Sequence, residues 1–103
     1  MYSKLYTLKF GSQINAKIAA AYITEELGGG LADDEIAALE VAVDTEGTVV
    51  LNVRFDSPAD LKKFVRRRET FIEDLRESFP FKADKFQTVT IFDYKRTPKV
   101  SVH

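Results

Sequence analysis

The most highly charged stretch of the chain is KKFVRRRET, residues 62–70, in which five of nine residues are basic. Clustered lysine and arginine side chains can bind phosphates, nucleic acid or an acidic protein surface. Lys62, Lys63, Arg66 and Arg67 are therefore a candidate patch for an acidic partner; the alternative is the solvated side of a helix, where charged residues normally lie. The net charge of −1 and the pI of about 5.8 are not those of a typical nucleic-acid binder, so nucleic acid is not the expected partner.

Few other residues could perform acid–base or metal chemistry. The single histidine, His103, is the last residue, so neither a serine triad nor a histidine metal cluster has the residues it needs. The absence of cysteine excludes disulfides and thiolate chemistry. The acidic run at residues 33–35 lacks the alternating oxygen ligands of a calcium loop and is interpreted as a solvated turn. We predict no metal site, no cofactor and no catalytic residue.

Six elements must position whatever chemistry remains. Period-two alternation predicts strands, and capping residues followed by 3.6-residue periodicity predict helices. The predicted elements are a strand at 2–10, a helix from the Ser12 cap to Leu27, strands at 37–44 and 48–55, a helix from the Ser57 cap to Pro80, and a strand at 86–94.

The two predicted helices each carry one apolar stripe. In the first, the residues at helical spacing are Ile14, Ile18, Tyr22 and either Ala21 or Glu25, with Ile23 and Leu27 beside them. The glycines at 28–30 are expected to end the helix in the left-handed conformation. The stripe of the second runs from Leu61 to Phe79 with Arg68 as its single polar member. Arg68 is thus expected to be an extended edge residue or an ion-paired group at the sheet margin.

The segment DTEG, residues 44–47, predicts a three-residue hairpin loop with Gly47 in the left-handed conformation. This loop determines a register that can be checked against the sequence. The predicted pairs are all apolar and lie on one face: Val43–Val49, Val41–Leu51, Leu39–Val53 and Ala37–Phe55.

The order β-α-β-β-α-β favours one topology once crossovers are right-handed and connections short. It is the ferredoxin-like α+β sandwich: a four-stranded antiparallel sheet of order 4-1-3-2 with two helices on one face. Residues 1–95 would form a single domain and residues 96–103 a loose C-terminal tail. The same fold occurs in dimeric α+β-barrel monooxygenases and in ligand-sensing regulatory domains, so the fold alone does not decide a function.

Two helices leave the second face of the sheet uncovered, and an exposed apolar face usually marks an interaction site. The predicted partner-binding residues on this face are Leu5, Val50, Asn52, Arg54, Phe92 and Tyr94. Glu40 is a diagonal neighbour of Arg54 in the predicted register and could form a cross-strand ion pair with it. The two central strands present no aromatic residue outward, which excludes the base-stacking surface of an RRM.

Two functions from different classes remain open. The first is a non-enzymatic protein-interaction module that forms a homodimer through the open sheet face. The alternative is a small-molecule-binding domain or cofactor-free enzyme of the dimeric α+β-barrel type, which a polar cavity near Tyr6, Arg54, Arg68 or Tyr94 would favour. The N-terminal segment has no signal-peptide pattern and no apolar run approaches ~20 residues, which predicts a cytoplasmic protein without membrane contact.

Overall fold

A computed structural model describes residues 1–96, apart from the side chain of Glu69. Of the predicted tail at 96–103, all but the first residue therefore lies outside the described residues. The strands are β1 (Tyr2–Lys9), β2 (Ala38–Val43), β3 (Thr48–Phe55) and β4 (Lys82–Val89), and the helices are α1 (Gln13–Gly28) and α2 (Pro58–Ser78). All pairings are antiparallel and the sheet order is β2-β3-β1-β4, which confirms the predicted fold class.

The β2–β3 hairpin has the predicted register, with Val43 opposite Val49 and Val41 opposite Leu51. The loop is held by the Asp44 carboxylate, whose Oδ1 accepts the main-chain N–H groups of Glu46 at 2.9 Å and Thr48 at 2.8 Å. The Thr48 hydrogen bond is the main cause that lowers the pKa of Asp44 below its ordinary value of 3.8. This contribution to stability is therefore present above that value and is lost as the pH falls through the pKa of the folded state.

One face of the sheet packs against both helices and forms the core. The inward side chains of β3 are fully buried, and those of β1 include Tyr6 and Leu8 at 1% and 0% exposure. The rings of Phe55 on β3 and Phe64 on α2 meet at a centroid distance of 5.3 Å. Because side chains on a strand alternate between faces, this burial leaves the intervening residues of β3 on the opposite, uncovered side.

Helix α1 begins as predicted, since Ser12 Oγ accepts the N–H of Asn15 at 3.3 Å, but the side that it buries differs. Ile14, Ile18 and Tyr22 are 73%, 51% and 50% exposed, so their prediction as the packing stripe is wrong. The residues buried instead are Ala16, Ala19, Ala20, Ile23 and Leu27. Alanine side chains let a helix approach its neighbour closely, and this side of α1 therefore lies against the sheet.

The start of α2 agrees with the prediction, whereas the end of α1 differs from it. Ser57 Oγ accepts the N–H of Asp60 at 3.2 Å and Pro58 occupies the first turn of α2, both as predicted. Helix α1 ends at Gly28, but its capping residue Gly29 has a φ of −74° in the right-handed region. The expected left-handed glycine cap is therefore wrong, and a right-handed glycine followed by turns ends the helix instead. No helix among the described residues has both the length and the apolar character needed to cross a membrane.

Strand β4 lies earlier in the chain than predicted, at 82–89 instead of 86–94. Its register along the full length of β1 explains the difference, because Val89 pairs with Tyr2 at the first residue of that strand. Beyond it, only Thr90 extends the ladder, through a 2.8 Å bond from its N–H to the carbonyl of Met1. β4 is an edge strand largely exposed on both faces, so its first half carries charged residues instead of an apolar alternation.

The hairpin loop and the start of α1 approach each other closely at Gly47. Its φ is +89°, and a Cβ there would lie 2.7 Å from the main-chain nitrogen of Ser12. We predict that Gly47→Ala lowers the free energy of unfolding by about 2–4 kcal/mol, because it combines left-handed strain with a backbone clash. Gly28→Ala is the matched control: its Cβ would enter open space, so its unfolding midpoint in urea should stay close to wild type. Equal midpoints for the two variants would contradict this explanation.

Candidate functional site

The uncovered face of the sheet, called here the open sheet face, carries the outward side chains of all four strands. Leu5 of β1 lies at its centre, between Asn52 of β3 and Phe86 of β4. Val50 and Arg54 lie on the same face, on either side of Asn52 along β3. The structure thus brings together four of the six residues predicted to bind a partner: Leu5, Val50, Asn52 and Arg54.

Phe86 is the residue of this face that the sequence prediction missed. It is 54% exposed and directly opposite Leu5. Its position in the chain shares parity with Phe92 and Tyr94, which were predicted to lie on the outward side, so the alternation of β4 could have identified it. A large exposed aromatic ring beside an aliphatic side chain makes this the most apolar part of the open sheet face.

Phe92 and Tyr94 lie beyond the end of β4 instead of within it. They are 85% and 75% exposed, and Ile91 beside them is 98% exposed. Arg54 connects this segment to the open sheet face, since its Nη2 lies 3.3 Å from Thr90 Oγ1 and 3.4 Å from Asp93 Oδ2. The role of Phe92 and Tyr94 at an interface remains a prediction.

Two polar residues on the open sheet face differ in their interactions: Arg54 is ion-paired, whereas the amide oxygen of Asn52 has no hydrogen-bond donor among the described residues. Among the described residues, Arg54 forms its ion pair with Asp93, so the cross-strand pair expected with Glu40 is not formed, although Glu40 is the diagonal neighbour predicted. The amide oxygen of Asn52 is enclosed and meets no hydrogen-bond donor within the described part of the chain. An enclosed acceptor without a donor costs free energy.

The predicted basic patch is divided between residues with and without a described ion pair. Lys62 and Arg66 are exposed and form no ion pair with a side chain that the structure describes, which leaves out Glu69. Lys63 Nζ lies 3.9 Å from Glu35 Oε1. Arg67 does not simply point to water as predicted: its Nη1 donates to the carbonyl of Asp33 at 3.0 Å and lies 3.3 Å from Asp34 Oδ1. Binding of an acidic partner by this patch stays a prediction.

Arg68 is ion-paired, but to a residue that the sequence placed in solvent. Its Nε donates to Asp34 Oδ2 at 2.9 Å, and Asp34 is 1% exposed. The interpretation of residues 33–35 as a fully solvated turn is therefore wrong for Asp34. Gly30 permits this contact, because a Cβ there would lie 2.9 Å from Arg68 Nη2. The ion pair joins the loop after α1 to the middle of α2.

Two concave regions could hold a small molecule. A groove of about 440 Å³ lies between α1 and α2 and is bordered by Arg67, Arg68 and the stacked rings of Tyr22 and Phe71. Its position at Arg68 is one of those at which a polar cavity was expected to favour the small-molecule alternative. A cavity of about 250 Å³ lies where the first turn of α2 meets β1 and β4. The residues that line the smaller cavity are Tyr2, Pro58, Leu61, Lys62, Gln87, Thr88 and Val89. The described residues contain no group of three or more side chains suited to hold a metal ion.

Lys4 lies beside this smaller cavity, called here the sheet–helix cavity. It is on the helix-facing side of β1, two residues from Tyr2 and directly opposite Gln87. Lys4 is only 8% exposed, and its Nζ lies 5.8 Å from the centroid of the Tyr6 ring. Its ammonium group therefore lies near Tyr6, and Lys62 is the lysine that lines the cavity itself.

The arrangement of elements and faces defines a ferredoxin-like fold, and comparisons of the structure agree. A monooxygenase from the gene ActVA-Orf6 of Streptomyces coelicolor, solved with nanaomycin D, superposes with a TM-score of 0.75 at 10% identity, covering 93% of this chain and 92% of that chain. A dimeric ferredoxin-like protein from an uncultured marine organism superposes with a TM-score of 0.70 at 12% identity, covering 93% and 100%.

A de novo designed protein with a ferredoxin fold, LFR1 1, also superposes, with a TM-score of 0.60 at 13% identity and coverage of 100% and 98%. No protein-family model matches the chain, and no curated protein matches it in sequence. At these identities the structural likeness shows the fold alone. The same fold occurs in a monooxygenase and in a designed protein, so the function of this chain depends on its own surfaces and not on the fold.

The Asp34–Arg68 pair offers a direct test of the corrected site. Arg68→Met leaves a buried carboxylate with Arg67 alone beside it, and we expect a loss of about 2–4 kcal/mol in unfolding free energy. Arg66→Met is the matched control in the same helix, because this side chain is exposed and any ion pair of an exposed side chain contributes little; it should change stability by less than about 0.5 kcal/mol. Chemical denaturation measures both, and similar losses would contradict the assigned role of Asp34.

Proposed function

We propose that the chain is a non-enzymatic interaction module that forms a homodimer through its open sheet face. The observation that carries this proposal is the exposure of Phe86 beside Leu5 on the side of the sheet that no helix covers. Burial of apolar surface is the main driving force of association, at about 25 cal/mol per Å². A two-fold axis through this face would place Leu5 and Phe86 of each copy against the other sheet at a spacing of about 10 Å.

The area of the sheet is too small for a stable dimer, so the residues after β4 are expected to contribute to the interface. A sheet of four strands and eight residues measures roughly 19 by 26 Å, or about 500 Å² per copy. A standard interface buries about 800 Å² per partner, so the sheet alone is too small. Phe92 and Tyr94, together with the nearly fully exposed Ile91, would supply the missing apolar area. The Arg54–Asp93 ion pair holds their segment at the edge of the face.

One further observation supports the proposal. A protein of the same fold is described as dimeric, although the identity of 12% carries the likeness no further than the backbone. The exposed cations Lys62 and Arg66 lie on α2, away from the open sheet face. An acidic protein partner could bind the dimer at this helix.

Phe86→Glu tests the dimer. The added carboxylates would be buried in the interface without a counter-charge, and we expect the dissociation constant to rise at least ~100-fold. Sedimentation equilibrium measures this, with Val89→Glu as control, because Val89 is 61% exposed on the same strand but on its other face. Phe92→Glu should weaken association less than Phe86→Glu. A mass that is unaffected by both Phe86→Glu and Phe92→Glu would reject the open sheet face as the interface.

A second candidate function rests on the sheet–helix cavity. Its apolar wall of Leu61 and Val89, the Tyr2 hydroxyl and the cation Lys62 would suit a small aromatic or aliphatic acid. Pockets of this kind combine an apolar lining with a few polar groups that orient the ligand. The solved monooxygenase of the same fold supports this small-molecule or cofactor-free enzyme alternative at the level of the fold.

Binding of anilinonaphthalenesulfonate, an aromatic sulfonate dye, tests the second candidate. Lys62→Met removes the charge of the lysine that lines the cavity and keeps most of the side-chain volume, so we expect about tenfold weaker binding by fluorescence titration. Lys82→Met removes an exposed lysine at the opposite end of β4 and serves as the matched control. If both variants bind the dye as tightly as wild type, the cavity does not recognise an anion.

A further inference from the structure

The outer side of α1 carries an apolar row that the fold does not use. Ile14, Ile18 and Tyr22 are four residues apart and 73%, 51% and 50% exposed. The opposite side of the same helix is fully used, since Ala16, Ala19 and Ile23 are completely or nearly buried against the sheet. Helix α1 is therefore apolar on both sides, which is typical of a helix with neighbours on both sides.

The row has the shape required for packing against another helix. Residues four apart form the ridge by which helices most often interlock. Ala21 lies beside this ridge and is exposed, so it leaves a depression into which a side chain of a second helix fits. Tyr22 is fixed in place by its ring contact with Phe71 of α2, at a centroid distance of 5.7 Å and an interplanar angle of 19°.

The charges that flank the row identify the kind of partner. Lys17 and Glu25 are exposed, and neither forms an ion pair with any side chain that the structure describes. They are eight residues apart, about 12 Å along the helix, on either side of Ala21. In an antiparallel pair of identical helices centred near Ala21, Lys17 of one copy lies opposite Glu25 of the partner subunit, and the two-fold axis forms this contact twice.

We propose that the outer side of α1 is an interface with a second copy of this chain, in which two α1 helices pack antiparallel. Ile18 then meets the partner's Tyr22, and each Lys17 pairs with Glu25 of the partner subunit. This interface lies on the opposite layer from the open sheet face and does not depend on it. A chain with both interfaces assembles beyond a dimer, because each copy has two different two-fold contacts.

Sedimentation equilibrium on four proteins tests the two interfaces separately: wild type, Ile18→Glu, Phe86→Glu and the double variant. We expect a wild-type mass above that of a dimer, a dimer for each single variant and a monomer for the double variant. Ile18 is half exposed in the single chain, so its replacement by Glu is not expected to disturb folding. If Phe86→Glu has no effect while Ile18→Glu gives a monomer, the open-sheet proposal fails and the α1 interface stands.

Charge reversal tests the antiparallel register. In the Phe86→Glu background, Lys17→Glu and Glu25→Lys should each weaken self-association about fivefold or more, because like charges then meet. The doubly reversed chain, Lys17→Glu with Glu25→Lys, should return to within about threefold of its parent. Failure of the double reversal to recover overturns the register. If Ile18→Glu leaves the mass unchanged both in the wild-type chain and in the Phe86→Glu chain, the α1 interface between two copies is overturned. The same result is expected if a different protein covers this side of α1.

Discussion

The packing of both helices on one side of β3 and β1 is the constraint on which the rest of the structure depends. Val49, Leu51, Val53 and Phe55 are completely buried by this packing. Alternation along the strand then places Val50, Asn52 and Arg54 on the other side. Because α1 packs over β2 and β3 and α2 packs over β1 and β3, β4 is largely exposed on both faces, and Phe86 is 54% exposed on the side away from both helices.

Alanine side chains allow α1 to pack closely against the sheet, and the larger apolar side chains of α1 lie on its outer side. With Ala16, Ala19 and Ala20 against the sheet, α1 places its larger Ile14, Ile18 and Tyr22 away from the core. The chain therefore has apolar surface on both layers of a two-layer fold. The same physical principle applies to both surfaces: a contiguous exposed apolar patch on a small domain usually marks a site of interaction with another molecule.

Much of the fold followed from local signals. The hairpin register depended on a four-residue loop with Gly47, and the helix starts depended on Ser12 and Ser57. The open face could be predicted as well, because alternation places Leu5, Val50, Asn52 and Arg54 on one side once the strand order is known. Phe86 escaped because the end of β4 was located by its apolar residues, whereas its position is set by pairing with β1.

By itself, the sequence determined the order of elements, the caps and the hairpin, since each depends on residues a few positions apart. Tertiary structure decided which side of α1 is buried, where β4 ends and that Asp34 is enclosed. Asp34 is a polar residue in an acidic turn, and its burial depends on Arg68, 34 positions away. Likewise, the apolar residues of α1 are suited to either side of the helix, and only the space available above the sheet selected the alanines.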